Sequence, residues 1–439
     1  VVRAKELGFK EIILIKNASI VTQNKKRDYI SKGFIVIKND KFEKIIEGNP
    51  VKKDIEKSHK IIDAKRMTIL PGFVNAHVHL GESVFADFFR GKYSLEHYLE
   101  VTNELTKRTD SIERGRKIIA DYSLLNLIRN GTTTICGGRT TDSSERLGVR
   151  NVSGYMLMDS FKLKNFSTDI EKKFKEEYKK IKKTKLSHPA LFIHSLNTVD
   201  SDVIKIVKKI LNNYFDVGLI LHIAETKKQE HEIKSKFGKS SIKFLYQQGL
   251  LNCRTILIHG SWISDGDMKI VKKCNVSIVH CLSSNLKVAD KTLNLKKTMR
   301  NRILTCIATD GLVTSGTFSV LNEAAKCFAY HNHNKSKNGI SISFQKILDM
   351  ITIDAAKVLG LESIIGSIEK GKKADMIFIK KRSMREGEIK NIIKRKHKIY
   401  GIILDGKLKV WDNKALMTDE RKVVNMFRTL TKRIKEEAQ

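Results

Sequence analysis

Proline, tryptophan and paired cysteine are what this chain has least of. Six cysteines stand apart at positions 136, 253, 274, 281, 306 and 327, and no two form a Cys-x-x-Cys pair. That spacing argues against a zinc ribbon or a disulfide framework and fits free thiols in a reducing compartment. No apolar run approaches the length needed to span a bilayer, and the first residues carry no charged-then-apolar leader pattern. No membrane partner is therefore expected, and a cytoplasmic location is. Acidic residues are scarce as well: 48 against 83 basic ones leave a formal net charge of +35. So large an excess invites a nucleic-acid reading, but its distribution argues otherwise. Lysine heavily outnumbers arginine and runs along the whole length, and only 3 prolines occur amid abundant isoleucine, asparagine and lysine. Such a profile fits a compositional bias of the coding genome better than a designed footprint. Base and bidentate phosphate readout also prefers arginine. No specific nucleic-acid partner is expected, only diffuse polyanion binding that salt abolishes.

What is present is more pointed. Pro71-Gly-Phe-Val-Asn-Ala-His77-Val-His79 places two histidines two apart at the end of an apolar run. Side chains at i and i+2 of a strand share a face, so His77 and His79 can aim two imidazoles at one metal while Val78 packs the other way.

At 439 residues, 41% of them hydrophobic, the chain suits a large barrel plus an accessory domain. Residues 12 to 22 and 34 to 47 read as strands, the second broken by the turn 38 to 41, and a short strand covers 59 to 63. From about 66 the rhythm changes to short apolar runs alternating with amphipathic stretches. The strand candidates end at His79, Cys136, Asp159, His194, His222, His259, His280 and Asp310. Helical patterns lie between them, at 112 to 130, 169 to 184, 201 to 214, 229 to 249, 265 to 274 and 317 to 332. Eight strand–helix units predict an α/β fold, a (β/α)₈ TIM barrel over 66–364. After a last helix (345 to 359), strands return at 374 to 380, 398 to 404 and 407 to 411. With residues 1–65, the segment 365–412 is expected to form a small β-sandwich domain split in sequence by the barrel. Residues 413–439 read as a polar, helical tail.

In a barrel of this type the site lies at the C-terminal ends of the strands. A single terminal histidine is ordinarily structural, but ionisable groups at that end of most strands point to a metal site.

The resemblance is then specific. Pro71 to His79, Gly131-Thr-Thr-Thr134, Leu221-His-Ile-Ala-Glu-Thr226, Leu257-Ile-His-Gly260, His280-Cys-Leu-Ser-Ser-Asn285, Ala308-Thr-Asp-Gly311 and Ile365 to Asp375 occur in family order and spacing. The chain resembles the amidohydrolase superfamily, in the branch of the S-adenosylhomocysteine/methylthioadenosine deaminases and atrazine chlorohydrolase-like enzymes. The resemblance implies His77, His79, His222 and Asp310 as ligands of one divalent metal. Such a donor set suits Zn2+, and iron is compatible with it. A second ion would need a lysine at the end of strand four, which here ends Phe192-Ile-His194.

Three catalytic residues follow: Asp310 to accept a proton from water, Glu225 to protonate a ring nitrogen and the departing amine, and His259 to polarise the attacking oxygen. His194, Asn285 and Arg150 resemble substrate contacts, with Arg139 a substitute from the loop before. His280 reads as a supporting residue, and His331 and His397 as solvated ones. Leu282 stands where the family motif has proline, and arginines around strand three are sparse, which weakens adenosylhomocysteine as substrate. The reading is a hydrolytic deaminase of an amino-substituted nitrogen heterocycle such as a purine, nucleoside or pterin. The alternatives are a hydrolytic dehalogenase or amide hydrolase of the same superfamily, or a non-enzymatic polyanion-binding scaffold. Relatives of this branch lead one to expect a homodimer or larger assembly.

Overall fold

The computed structural model describes residues 11–112, 114–137, 140–158, 169–289, 291–333, 341–380, 389–394 and 398–438. Asp159, Arg139 and His397, named above, lie outside the described residues.

Eight parallel strands follow one another around a barrel: Phe73–Asn75, Thr132–Cys136, Arg150–Leu157, Ser187–Ile193, Gly218–Ile223, Thr255–His259, Ser277–His280 and Thr305–Ile307. Each is a short, almost wholly buried run, the pattern of strands covered on both faces. The seam between the last strand and the first is closed by other groups. Residues 350 and 351 accept the amide hydrogens of Ile307 and Val74. Asn75 exchanges two hydrogen bonds with Thr309, and the Asp310 amide donates to the His77 carbonyl at 3.1 Å.

The helices wrap the barrel where the apolar periodicity puts them, with some differences. The expected last helix, 345 to 359, is two, Phe344–Asp349 and Ile353–Val358. The stretch 229 to 249 is two helices, Lys227–Phe237 and Ser241–Gln247, because Gly238 turns left-handed at φ 70° and ends the first. Helix Leu95–Ser111, which the sequence reading missed, lies over the C-terminal end of the barrel.

The remaining strands form one nine-stranded sheet. Ile12–Val21 is its hub, pairing with Tyr29–Lys38, Lys60–Asp63 and Met67–Pro71; Met376–Lys380, Ile399–Leu404 and Lys407–Trp411 continue beyond Met67–Pro71. The chain leaves this sheet for the barrel at Gly72, where a side chain would meet Thr133 Oγ1 at 2.1 Å. The Phe42 amide donates to the Lys372 carbonyl, and the Gly371 and Ala374 amides donate to the carbonyls of Phe42 and Asp40, bending the sheet back on itself. The expected two layers are thus parts of one hydrogen-bonded sheet around Ile15, Ile35, Ile69, Met376 and Phe378. Helix Glu420–Ala438 packs Leu430 and Ile434 against Val84, Phe85 and Leu105, over the barrel mouth. Among the described residues no helix is long and apolar enough to cross a membrane.

Candidate active site

Strand ends at the barrel mouth deliver the ionisable groups to one place. His77 and His79 follow the first strand, His222 lies on the fifth, His259 ends the sixth, and Asp310 follows the eighth. Three backbone positions here are left-handed without being glycine: Ala224 at φ 48°, His259 at 72° and Asp310 at 63°. Such conformations cost of order 1–3 kcal/mol each and cluster where a side chain must be aimed rather than packed.

Asp310 Oδ1 lies 3.2 Å from both His77 Nε2 and His79 Nε2. His222 Nε2 lies 3.2 Å from His77 Nε2. The ligating atoms of His77, His79 and His222 fall within 4.8 Å of one another, as do those of His77, His259 and Asp310. His222 Nδ1 approaches the His194 carbonyl at 2.7 Å. A carbonyl only accepts, so Nδ1 carries the proton and Nε2 presents its lone pair to the cluster. Donors at 2.0–2.2 Å from a tetrahedral ion stand roughly 3.3–3.6 Å apart. The spacing and the His222 tautomer therefore fit a divalent metal.

Electrostatics divide the ligand histidines: burial alone would lower His79, but its hydrogen bond to Asp310 and the nearby carboxylate charges push it up to about 9. Burial holds His77 and His222 below the ordinary histidine range, so both are neutral donors. Burial alone would raise Asp310, but hydrogen bonds from His77 and His79 overcome it and keep the carboxylate ionised. Glu225, on the turn after His222, is pushed up to about 8 by burial and then by the neighbouring Asp310 charge. Its amide donates to Gln229 Oε1 at 3.0 Å, fixing that turn. His259 Nε2 lies 3.5 Å from Glu225 Oε1, and burial takes this imidazole down to about 3.

All of these groups line a cavity of about 850 Å³. Met156, Met158, Phe192 and Ile193 form its apolar side, and Leu95, Tyr98, Leu99 and Thr102 close it from above. His194 is on its wall, with burial lowering that imidazole to about 4.

Two expected substrate contacts are corrected. Arg150 starts the third strand, at the opposite end of the barrel, where it is buried against Asp375 at 3.3 Å and Asp405 at 3.5 Å. Asn285 is also fully buried, and its Nδ2 faces His259 Nδ1 at 3.0 Å instead of the cavity. His331, expected to be solvated, is buried with its Nε2 3.0 Å from His280 Nε2. Glu82 was missed: it is a buried cavity residue pushed up to about 8, chiefly by burial. Its place three residues after His79, as Glu225 follows His222, was the available signal.

Comparison with known proteins agrees with this geometry. The chain is 26% identical over 431 residues to a 5'-deoxyadenosine deaminase of Methanosarcina mazei, covering 94% of this chain and 96% of that protein. It is 26% identical to a 5-methylthioadenosine/S-adenosylhomocysteine deaminase of Pyrococcus furiosus, over 94% of this chain and 99% of that one. The fold is similar to that of a zinc-bound adenosine deaminase from Xanthomonas campestris, with a TM-score of 0.86 and 19% identity over 97% of this chain and 98% of that one. It is likewise similar to the zinc-complexed atrazine chlorohydrolase of Arthrobacter aurescens, with a TM-score of 0.86 and 17% identity over 95% and 100%. The model of the amidohydrolase family matches residues 68–409, most of the length, and the chain belongs to that family.

Proposed function

We propose that this protein is a metal-dependent aminohydrolase that replaces the exocyclic amine of a purine nucleoside, or of a related aminated heterocycle, by oxygen, consuming water and releasing ammonia. The observation that carries this reading is Glu225: a buried carboxyl beside the ligand cluster, 3.5 Å from His259 Nε2, pushed up to about 8 by burial. Attack on a ring carbon puts charge on the adjacent ring nitrogen, and such an acid can protonate that nitrogen and then the departing amine.

The site's residues divide the work. His77, His79, His222 and Asp310 would hold the metal, with zinc the ion their chemistry suits. A bound divalent metal makes water acidic enough to supply a nucleophile near neutral pH. Asp310, ionised and at the centre of the cluster, accepts a proton from the attacking water. Glu225 gives its proton to the ring nitrogen and, recharged, to the departing amine. His259 hydrogen-bonds the oxygen on which charge develops. The apolar wall of Met156, Phe192 and Ile193 takes the planar ring.

The substrate's far end is better neutral than anionic. The cavity rim carries Arg116 and Arg146, but Arg116 is held by Asp110 and Arg146 by Asp121. With Arg150 at the other end of the barrel, a carboxylate tail finds few uncommitted cations among the described residues. 5'-Deoxyadenosine and adenosine are therefore expected to outperform S-adenosylhomocysteine.

Ammonia release from these nucleosides, guanine and aminated pterins by metal-loaded protein tests the reading. Glu225→Gln should keep metal and fold and lose about 10²- to 10⁴-fold in turnover. Near-normal turnover in that variant would remove Glu225 as the acid of the reaction, and chloride release from a chlorotriazine without ammonia release from any heterocycle would replace deamination by hydrolytic dehalogenation.

A further inference from the structure

The His259 ring stands on a left-handed backbone and touches two polar groups, Glu225 at Nε2 and Asn285 at Nδ1. The amide nitrogen of Asn285 can only donate, so Nδ1 is the accepting nitrogen and the ring proton sits on Nε2, toward Glu225. Asn285 thus determines which face of His259 is a donor, and what holds Asn285 matters to the reaction.

Asn285 lies on the short helix Leu282–Val288, which starts at Cys281 without a side-chain cap of its own. The first amide hydrogens of a helix have no partner within it and must be satisfied from outside. Glu323, on helix Val320–His333, does this from a position with no solvent exposure: Oε1 accepts the Ser283 amide at 2.7 Å and Oε2 accepts Ser283 Oγ at 2.6 Å. Lys326 Nζ donates to Ser283 Oγ at 2.9 Å and lies 3.7 Å from Glu323 Oε2, so the carboxylate has a counter-charge. Glu323 itself does not line the cavity. A carboxylate with both oxygens committed to one residue at a helix start fixes that helix in position and rotation. Asn285, two residues further on, inherits that rotation.

We propose that Glu323, acting through Ser283 and Asn285, is a positioning residue that holds the His259 ring with its Nε2 proton turned to the reacting centre. The inference rests on the function proposed above for what His259 does, but not for how the ring is held.

Two measurements test it. Glu323→Gln keeps volume and one accepting oxygen; in metal-loaded protein it should cut kcat for adenosine about ten- to a hundred-fold, less than the loss of a whole transition-state donor, and leave KM within about two-fold. Asn285→Leu should behave alike, and the double variant should be no worse than the poorer single one, as expected of residues acting in one chain. Ser283→Ala, which removes one of the two bonds, should lose only a few-fold and provides the reading if Glu323→Gln folds poorly. Multiplicative effects in the double variant, or an unchanged kcat with only a lowered Tm, would overturn the proposal in favour of a packing role. Independently of turnover, nitrogen-15 NMR of labelled histidines, with His259 assigned by difference against His259→Gln, should find Nδ1 unprotonated in the wild type and a mixture of tautomers in Glu323→Gln. Identical His259 shifts in the two proteins would overturn the proposal. If the wild type releases no ammonia yet shows the tautomer change, the function assigned above fails and the positioning stands.

Discussion

Replacing Arg150 by methionine separates two roles that a single arginine near strand three can have. If Arg150 held substrate, the variant would bind substrate poorly and fold normally. Its surroundings predict the opposite. The guanidinium is fully buried, 3.3 Å from Asp375 and 3.5 Å from Asp405, at the junction of barrel and second sheet. Asp405 would keep Lys373 at 3.3 Å and Lys185 at 3.5 Å, whereas Asp375 would keep, among the described residues, only the Asp405 amide, at 2.7 Å. The cost therefore falls on Asp375, whose carboxyl burial already pushes upward in pKa despite the arginine. Breaking a buried pair by removing one partner costs about 3–5 kcal/mol. Uptake of a proton by Asp375 relieves part of that, so the lower end, about 3 kcal/mol, is expected. Set against a typical total of 5–15 kcal/mol, this is a large loss. Urea unfolding followed by circular dichroism should show a lower midpoint with an unchanged slope, and metal content and KM should stay at wild-type values. Arg150→Met/Asp375→Asn should recover part of the loss, because the stranded charge is gone. A stability within about 0.5 kcal/mol of wild type, together with a raised KM, would refute the reasoning and return Arg150 to the substrate.

Three further outcomes are expected. His79→Ala should abolish near-stoichiometric metal in elemental analysis of protein purified without chelator, while wild type retains one ion per chain; two tightly held ions would contradict the single cluster. His331 is held down to about 4 by burial, with Lys296 adding to it. The unfolded chain, near 6.5, thus binds more protons between those values, and stability falls as pH drops from about 6.5 toward 4, by a total of order 3 kcal/mol for this group; urea midpoints of His331→Gln between pH 7 and 5 should vary less than those of wild type. Ile434→Ala, at a fully buried position of the C-terminal helix, should cost about 2–5 kcal/mol and raise KM more than it lowers kcat, because that helix backs the helix Leu95–Ser111 over the cavity; an unchanged KM in steady-state kinetics would show that the cavity roof stands without it.

Which residues were legible in the sequence follows from what a one-dimensional pattern can carry. His77 and His79 were visible because a strand repeats every two residues; His222, His259 and Asp310 each close or follow an apolar run, as His194 and His280 do, and the family resemblance singled them out. Glu225 needed only its offset from His222. Helix Leu95–Ser111 was missed because Leu95, Tyr98, Leu99 and Thr102 face a cavity and not a core, so its apolar stripe is thin and interrupted. Asn285 was misplaced because its partner, His259, is 26 positions away, at the end of a strand, while Asn285 itself lies on a helix. Arg150 fails for a different reason, and the strand pattern already contained the correction. It opens the strand Arg150–Leu157, while the site is built where strands end, and eight residues at about 3.3 Å each separate those ends by most of the barrel's height. The direction of a strand thus sorts its ionisable residues by task. At the exit, His77, His222, His259 and Asp310 leave polar atoms facing a cavity, and His259 and Asp310 take on strained backbone to do so. At the entrance, Arg150, Asp375 and Asp405 spend their charge on one another and join the barrel to the sheet that its own two ends form. A charged residue in such a chain is therefore best judged by which end of its strand it occupies before its chemistry is considered at all.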